Sequence, residues 1–249
     1  MEPLSPHELY QRYCSAMARV TVANREGDLL SAAAFHIGGG YLVTARHVVD
    51  HLDIKEIVAE RGMGQSLEIR KVILSSDPKV DLAVIETDFN RGLLYQKSHV
   101  IPIGMHMDDW IDDGLTMTNI LLMGYPRIPF AAGMPLVAVA GQVSAVLDRY
   151  DIRRVHFVIS TLARGGFSGG PVISEYDFLL GVATESLMVH ESIPETGFTA
   201  VLSTEGLWEI LFDNHLLPPG VNGESMVEYL SSFLEDWPES ERTLQPEEP

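Results

Sequence analysis

Apolar and polar positions begin with a helical spacing and then switch to the two-residue period of strands. Ser5-Pro6-His7-Glu8 reads as a helix start, with Ser5 as N-cap, Pro6 in the first turn and Glu8 completing a capping box. A helix over 5–17 is predicted. Short runs rich in Val, Ile and Ala follow, separated by glycine, asparagine or aspartate, and read as strands at Arg19–Ala23, Ala32–Ile37, Leu42–Thr44, Ile54–Ala59, Leu67–Leu74 and Leu82–Glu86. The polar stretch His99–Gly114 reads as a connector. A second series follows at Asn119–Met123, Leu136–Ala140, Gln142–Leu147, Val155–Ser160, Pro171–Ser174, Phe178–Thr184 and Phe198–Leu202. Ser203 or Thr204 then caps a short helix, Glu205–Phe212, and Ser225–Leu234 is a further candidate helix. Many short strands in two batches with few helices imply an all-β fold of two packed barrels or sandwiches.

Composition narrows the function classes. The chain has 249 residues, 46% of them hydrophobic and 21% charged, enough for one large or two small cores. No apolar run reaches the roughly 18–20 residues that span a bilayer, so no membrane association is expected. The net charge of −18 disfavours nucleic acid, whose phosphates require lysine and arginine. From Glu224 onward eight acidic residues face Arg242 alone, so that end carries −7 of the −18. It reads as a solvated extension. The N-terminus has neither a basic region nor an apolar core like a secretory signal, and Cys14 is the sole cysteine, so a reducing, cytoplasmic compartment is expected.

Chemistry concentrates at three places. Gly165-Gly166-Phe167-Ser168-Gly169-Gly170-Pro171 sets one serine among glycines, marking a special backbone conformation or a close approach by another molecule. A serine becomes a nucleophile when a base takes its proton and backbone N–H groups receive the resulting oxyanion. Gly38–Val49 carries His47 just after a short apolar strand. Asp77–Ile85 carries Asp81 at the mouth of another, where a carboxylate is costly unless it accepts hydrogen bonds, and an imidazole N–H suits it. His47, Asp81 and Ser168 are thus candidates for base, orienting acid and nucleophile.

A Gly-x-Ser-x-Gly segment also occurs in α/β-hydrolases, but there a helix continues after the serine. Here Pro171-Val172-Ile173 follows and strand pattern dominates. Among the other histidines, His36, His51, His99, His106, His156, His190 and His215 lack metal-like spacing with one another, and Asp108–Asp113 is unlike an EF-hand loop. No metal site and no cofactor are expected.

Thr44–Val48, Asp81–Val84 and Gly166–Pro171 closely resemble the base, acid and nucleophile motifs of the chymotrypsin-like serine peptidases, especially the HtrA-like branch. The order His, Asp, Ser is that family's, and the resemblance covers roughly residues 17–212. Gly124-Tyr125-Pro126 and Leu180–Thr184 also match, the latter to the strand beside the substrate. The resemblance implies two six-stranded antiparallel β-barrels with short terminal helices, the first over about 18–105 and the second over about 115–212. Residues 213–249 would form an acidic helical or flexible extension, with no PDZ-like module.

The resemblance further implies an oxyanion hole formed by the Gly166 and Ser168 amides. Relatives that are activated by a freshly cut N-terminus carry Asp at the position of Phe167, which cannot receive an ammonium. A hole that is preformed, or ordered by substrate, oligomerisation or a partner, is expected instead. Leu162 would lie near the base of the primary specificity pocket, with Thr184, Glu185 and Ser186 along a wall. An apolar base favours small or medium apolar P1 residues. The expected function is a serine endopeptidase acting on protein or peptide substrates through an acyl-enzyme, with restricted specificity or control by a protein partner. The alternative is a catalytically silent relative that binds peptides or regulates a partner.

Overall fold

The capping box at the N-terminus forms as its residues dictate. Ser5 Oγ accepts from the Glu8 amide at 3.3 Å, and the Glu8 carboxylate accepts from the Ser5 amide at 2.8 Å. The computed structural model describes residues 2–50, 52–60, 66–89, 100–104, 113–131, 133–149, 154–161, 165–186 and 197–216. Helix α1 (Pro6–Tyr13) is shorter than the predicted 5–17: a 3-10 turn follows at Cys14–Ala16, and Met17 already opens strand β1 (Met17–Ala23). Leu9 and Tyr13, four residues apart, bury one face of α1. Past Tyr13 both Ala16 and Met17 are fully buried, and the β-branched run Val20-Thr21-Val22 favours a strand.

The first unit contains β1, β2 (Leu29–His36), β3 (Tyr41–Thr44), β4 (Asp53–Ala59), β5 (Ile69–Leu74) and β6 (Ala83–Thr87), with the one-turn helix α2 (Arg46–Val49) after β3. Its six strands are antiparallel in the order β4-β1-β2-β3-β6-β5. This sheet is a half-barrel: β4 and the approach to β5 touch through a Val58–Ser66 bridge and a Leu67 N–H to Ile57 carbonyl bond of 2.7 Å. The second unit contains β7 (Asn119–Gly124), β8 (Val137–Arg149), β9 (Arg154–Ile159), β10 (Pro171–Ser174), β11 (Leu179–Ser186) and β12 (Thr199–Ser203). It closes into a six-stranded barrel. The two six-stranded antiparallel units expected from the sequence are therefore present.

Two expected strands, Leu136–Ala140 and Gln142–Leu147, are one strand of 13 residues, β8. Its first half pairs with β7 and its second half with β9, so the chain stays extended through Gly141. Closing a barrel needs strands that tilt across two neighbours, and a long strand satisfies both. The candidate helix Ser225–Leu234 and the Asp108–Asp112 part of the acidic run lie outside the described residues.

Three apolar clusters hold these parts. Each unit has its own interior, built in the first around Val20, Leu42, Ile57 and Ile85 and in the second around Leu122, Phe157 and Val172. The third lies between the units, where Phe35, Val43 and Leu82 meet Leu121, Met123 and Leu202. Two helices seal this layer, α1 with Leu9 and Tyr13, and α3 (Glu205–Asp213) with Leu207 and Trp208. Tyr13 donates to Asp177 at 2.8 Å, and Arg12 pairs with the same carboxylate. Burial first, then the Asp177 bond, raises the Tyr13 phenol well above its ordinary range, so it remains a donor.

Trp208 is 2% exposed and its indole N–H donates to the Gly104 carbonyl at 3.1 Å. Trp208→Ala should lower the unfolding free energy by about 3–5 kcal/mol, because it opens a cavity and removes the donor to the half-buried Gly104 carbonyl. Urea denaturation followed by far-ultraviolet circular dichroism measures this as a reduced midpoint.

Candidate active site

Strand β3 delivers the histidine. It ends at Thr44, and Ala45 turns the chain in extended conformation into α2, whose second residue is His47. The buried Val48 and Val49 hold this turn against the first unit's interior, leaving the His47 ring half exposed. Arg46 fastens the turn by donating to Asp50 at 2.8 Å and to the Ser75 carbonyl at 3.1 Å.

Ser75 begins the segment that delivers the aspartate. Asp77 closes a tight turn there, its carboxylate accepting from the Lys79 amide at 2.9 Å and its carbonyl from the Val80 amide at 3.1 Å. Val80 and Leu82 are both fully buried, so Asp81 between them points the other way. It stands two residues ahead of β6, at the mouth of that strand.

Asp81 meets His47 twice. One carboxylate oxygen accepts from the His47 backbone N–H at 2.8 Å, and the other lies 2.7 Å from Nδ1. A carboxylate only accepts, so the proton of the neutral ring belongs on Nδ1 and the lone pair on Nε2. The bidentate contact fixes both the ring's tautomer and its position relative to the backbone.

Ser168 arrives from the second barrel just before β10. Its carbonyl accepts from the Ala33 amide of β2 at 2.9 Å, the Gly169 amide donates to the Ala183 carbonyl of β11 at 2.8 Å, and the Gly166 carbonyl accepts from the Tyr125 amide at 2.8 Å. Gly169 has φ +83° and Gly166 φ +104°, a region that favours glycine. A Cβ on Gly169 would overlap the Ala33 carbonyl oxygen and the Thr44 hydroxyl, and would lie 2.9 Å from the Ala45 nitrogen. A Cβ on Gly166 would overlap the Tyr125 carbonyl oxygen. The serine loop therefore touches the backbone just ahead of His47, and the three predicted residues come from segments in mutual contact. Among the described residues, neither the Gly166 nor the Ser168 N–H donates to an acceptor.

Phe167 is 4% exposed and packs into the second barrel's interior. Its ring occupies the space over Gly124, where a Cβ would come within 2.7 Å of Phe167 Cδ1. The loop is thus anchored by an apolar side chain. Of the residues expected to shape specificity, Thr184 is buried where β11 shifts register against β12, between Ala183 and Glu185. Glu185 and Ser186 continue β11 opposite Ala200 and Thr199, with side chains outside the described residues, and Leu162 lies outside them entirely. Three residues support the site without a chemical motif of their own: Ala33 and Tyr125 through the bonds above, and Glu60, whose carboxylate accepts from the Tyr125 hydroxyl at 3.0 Å. Ala33 carries no motif signal, Glu60 is an isolated carboxylate, and Tyr125 was legible only as part of a glycine-proline turn. Among the described residues no cluster of His, Cys, Asp and Glu could hold a metal ion.

The family model described as a trypsin-like peptidase domain matches residues 32–182. Among solved structures, the chain is similar to the active form of the Rv3671c protease from M. tuberculosis, at 17% identity and a TM-score of 0.62, covering 85% of this chain and 87% of that one. It is similar to the serine endoprotease from Yersinia pestis at 21% identity and a TM-score of 0.59, covering 87% and 68%. It is also similar to the HtrA-type protease AlgW with tripeptide, at 20% identity and a TM-score of 0.61, covering 85% and 64%. At these identities the likeness is one of fold. No curated protein sequence matches the chain.

Truncating the apolar anchor leaves a void beneath the serine loop. Phe167→Ala should lower the unfolding free energy by about 3–5 kcal/mol. Chemical denaturation of this variant beside the wild type reads the loss directly, and an unchanged midpoint would show that the ring is not anchoring.

Proposed function

The chain belongs to the trypsin-like peptidase domain family, and on that premise we propose that it is a serine endopeptidase using Ser168, His47 and Asp81. The observation that carries this reading is the Asp81 carboxylate bridging both the amide and the ring of His47, at 2.8 Å and 2.7 Å. That bridge presents Nε2 as the basic nitrogen, on the segment against which the Ser168 loop is packed.

In the proposed reaction Ser168 Oγ attacks the scissile carbonyl while His47 Nε2 takes its proton. The imidazolium formed is stabilised by Asp81, and the oxyanion is received by the Gly166 and Ser168 amides. His47 then gives the proton to the leaving amine, producing an acyl-enzyme. Water, deprotonated by the same nitrogen, hydrolyses the ester and returns Ser168. Donors held in position before charge develops reorganise little during the reaction, and the burial of Phe167 with the left-handed Gly166 supports a hole that stands ready.

Protein or peptide segments are the proposed substrates. The tripeptide named with AlgW is a precedent for a peptide on this fold. A primary pocket with Leu162 at its base, walled by Thr184, Glu185 and Ser186, would favour small or medium apolar P1 residues. We place the protein in the cytoplasm, on the support of its single, free cysteine. Neither nucleic acid nor a membrane is a proposed partner: the charge is −18, and no described helix is long and apolar enough to cross a bilayer. Activity there needs restraint, by narrow specificity or by a regulatory protein.

A fluorophosphonate probe should label the wild type covalently and leave Ser168→Ala unlabelled. On a peptide substrate Ser168→Ala should lower kcat by roughly a million-fold, and Asp81→Asn by roughly ten-thousand-fold. Absence of labelling under all conditions, candidate partners included, would leave the peptide-binding relative as the surviving reading.

A further inference from the structure

Tyr125 has more partners than a turn residue needs, and they belong to both β-units. It follows Gly124 at the end of β7 and precedes Pro126, which restricts it to extended backbone. Its N–H donates to the Gly166 carbonyl at 2.8 Å, and its own carbonyl accepts from Ser31 Oγ of β2 at 2.8 Å. Its ring is 1% exposed in the layer between the units, and its hydroxyl donates to Glu60 Oε2 at 3.0 Å. Glu60 directly follows β4, so the phenol spans from the second barrel to the far edge of the first sheet. Burial, then the Glu60 charge and the hydrogen bond to it, raises the Tyr125 phenol far above its ordinary range. The O–H thus remains the donor and Glu60 the acceptor.

The other end of the residue holds the Gly166 carbonyl. The N–H and the carbonyl of Gly166 belong to adjacent peptides joined through that residue's two torsions, of which φ is +104°. Holding the carbonyl on Tyr125 constrains where the N–H points. The same glycine leaves no room for a Cβ beside the Tyr125 carbonyl, so a shift of Tyr125 moves Gly166 with it.

We propose that Tyr125 is a positioning residue for the oxyanion site, its hydroxyl tethered to Glu60 so that the first sheet sets the direction of the Gly166 N–H. This rests on the peptidase reading above. An apolar ring of the same shape would fill the core equally well; the hydroxyl adds a fixed distance between the Gly166 peptide and β4. Loss of the tether should therefore act on turnover and leave ground-state binding alone.

Two measurements on the full chain test it with Tyr125→Phe, which keeps the ring, Glu60→Ala, which removes the acceptor, and Glu60→Gln, which retains an acceptor oxygen. The first is hydrogen exchange of the residue 125 amide, whose proton lies on the Gly166 carbonyl. Exchange should accelerate in Tyr125→Phe and Glu60→Ala and return towards wild type in Glu60→Gln. The second is kcat per fluorophosphonate-titrated site. It should fall by about two- to thirty-fold in each of the first two variants, with no further fall in their double mutant and with KM unchanged. Unaltered exchange in both single variants overturns the proposal, as do losses in kcat that multiply in the double mutant. If the wild type takes no label, the peptidase reading falls, and exchange at residue 125 still decides whether the tether exists.

Discussion

The structure depends most on the packing of Gly169 against the Ala33 carbonyl and the Thr44 hydroxyl. Thr44 already donates to that carbonyl at 2.7 Å, and Ala33 donates its own N–H to Ser168 at 2.9 Å. Three backbone segments from two sheets thus share a space with no volume for a methyl group. Displacing any one by an ångström would separate the serine loop from the turn that carries His47. Close packing transmits such shifts, because protein interiors deform little. Ala33 in the middle of β2 follows from the same constraint, since a larger side chain in the layer between the sheets would hold them apart, whereas Ala32 and Ala34 face the first unit's interior.

The layer between the sheets makes that proximity durable. It receives side chains from both units and from helices α1 and α3, so the units cannot slide without exposing Phe35, Met123 or Trp208. Helix α1 is tied at two levels: apolar through Leu9 and Tyr13, and polar through Arg12 and Tyr13 to Asp177 and the Leu4 amide to Glu175. Asp177 lies in the turn after β10, the strand that continues from the serine loop. The N-terminal helix is thereby structurally continuous with the proposed site without touching its reacting groups. A stability contribution and an influence on loop position come from the same contacts.

Strand positions were legible as short Val-, Ile- and Ala-rich runs bounded by glycine, asparagine or aspartate, most of them buried along nearly their whole length, and the errors fall where two signals compete. Helix propensity continued through Cys14–Ala16, while burial of Met17 at the sheet interface ended the helix earlier. Gly141 reads as a break, yet a barrel strand that changes partners needs only local bending there, and its ladder to Ile120 persists. The pairing of His47 with Asp81 and the nearness of the Ser168 loop were legible because their motifs carry residue type as well as spacing. Ala33, Tyr125 and Glu60 were not, since their importance lies in backbone amides, a phenol reaching another sheet and a carboxylate meeting it. Long-range contacts of that kind leave no local pattern. Phe167 was legible as a departure, but its destination in the barrel interior became evident only with the space above Gly124.

That destination changes how the loop is secured. A charged anchor would tie the loop's conformation to pH and ionic strength, because both govern whether an ion pair forms and how strongly it holds. A buried phenyl ring has no titration and little salt dependence; its hold comes from apolar area removed from water and from close contact with Gly124. Such an anchor remains in place wherever the barrel is folded, so the Phe167 side of the loop offers no independent switch. The Gly166 side differs, because it is held by single hydrogen bonds through Tyr125, each modest in net energy. Control of the proposed oxyanion site short of unfolding would therefore act more readily through those bonds than through the Phe167 anchor.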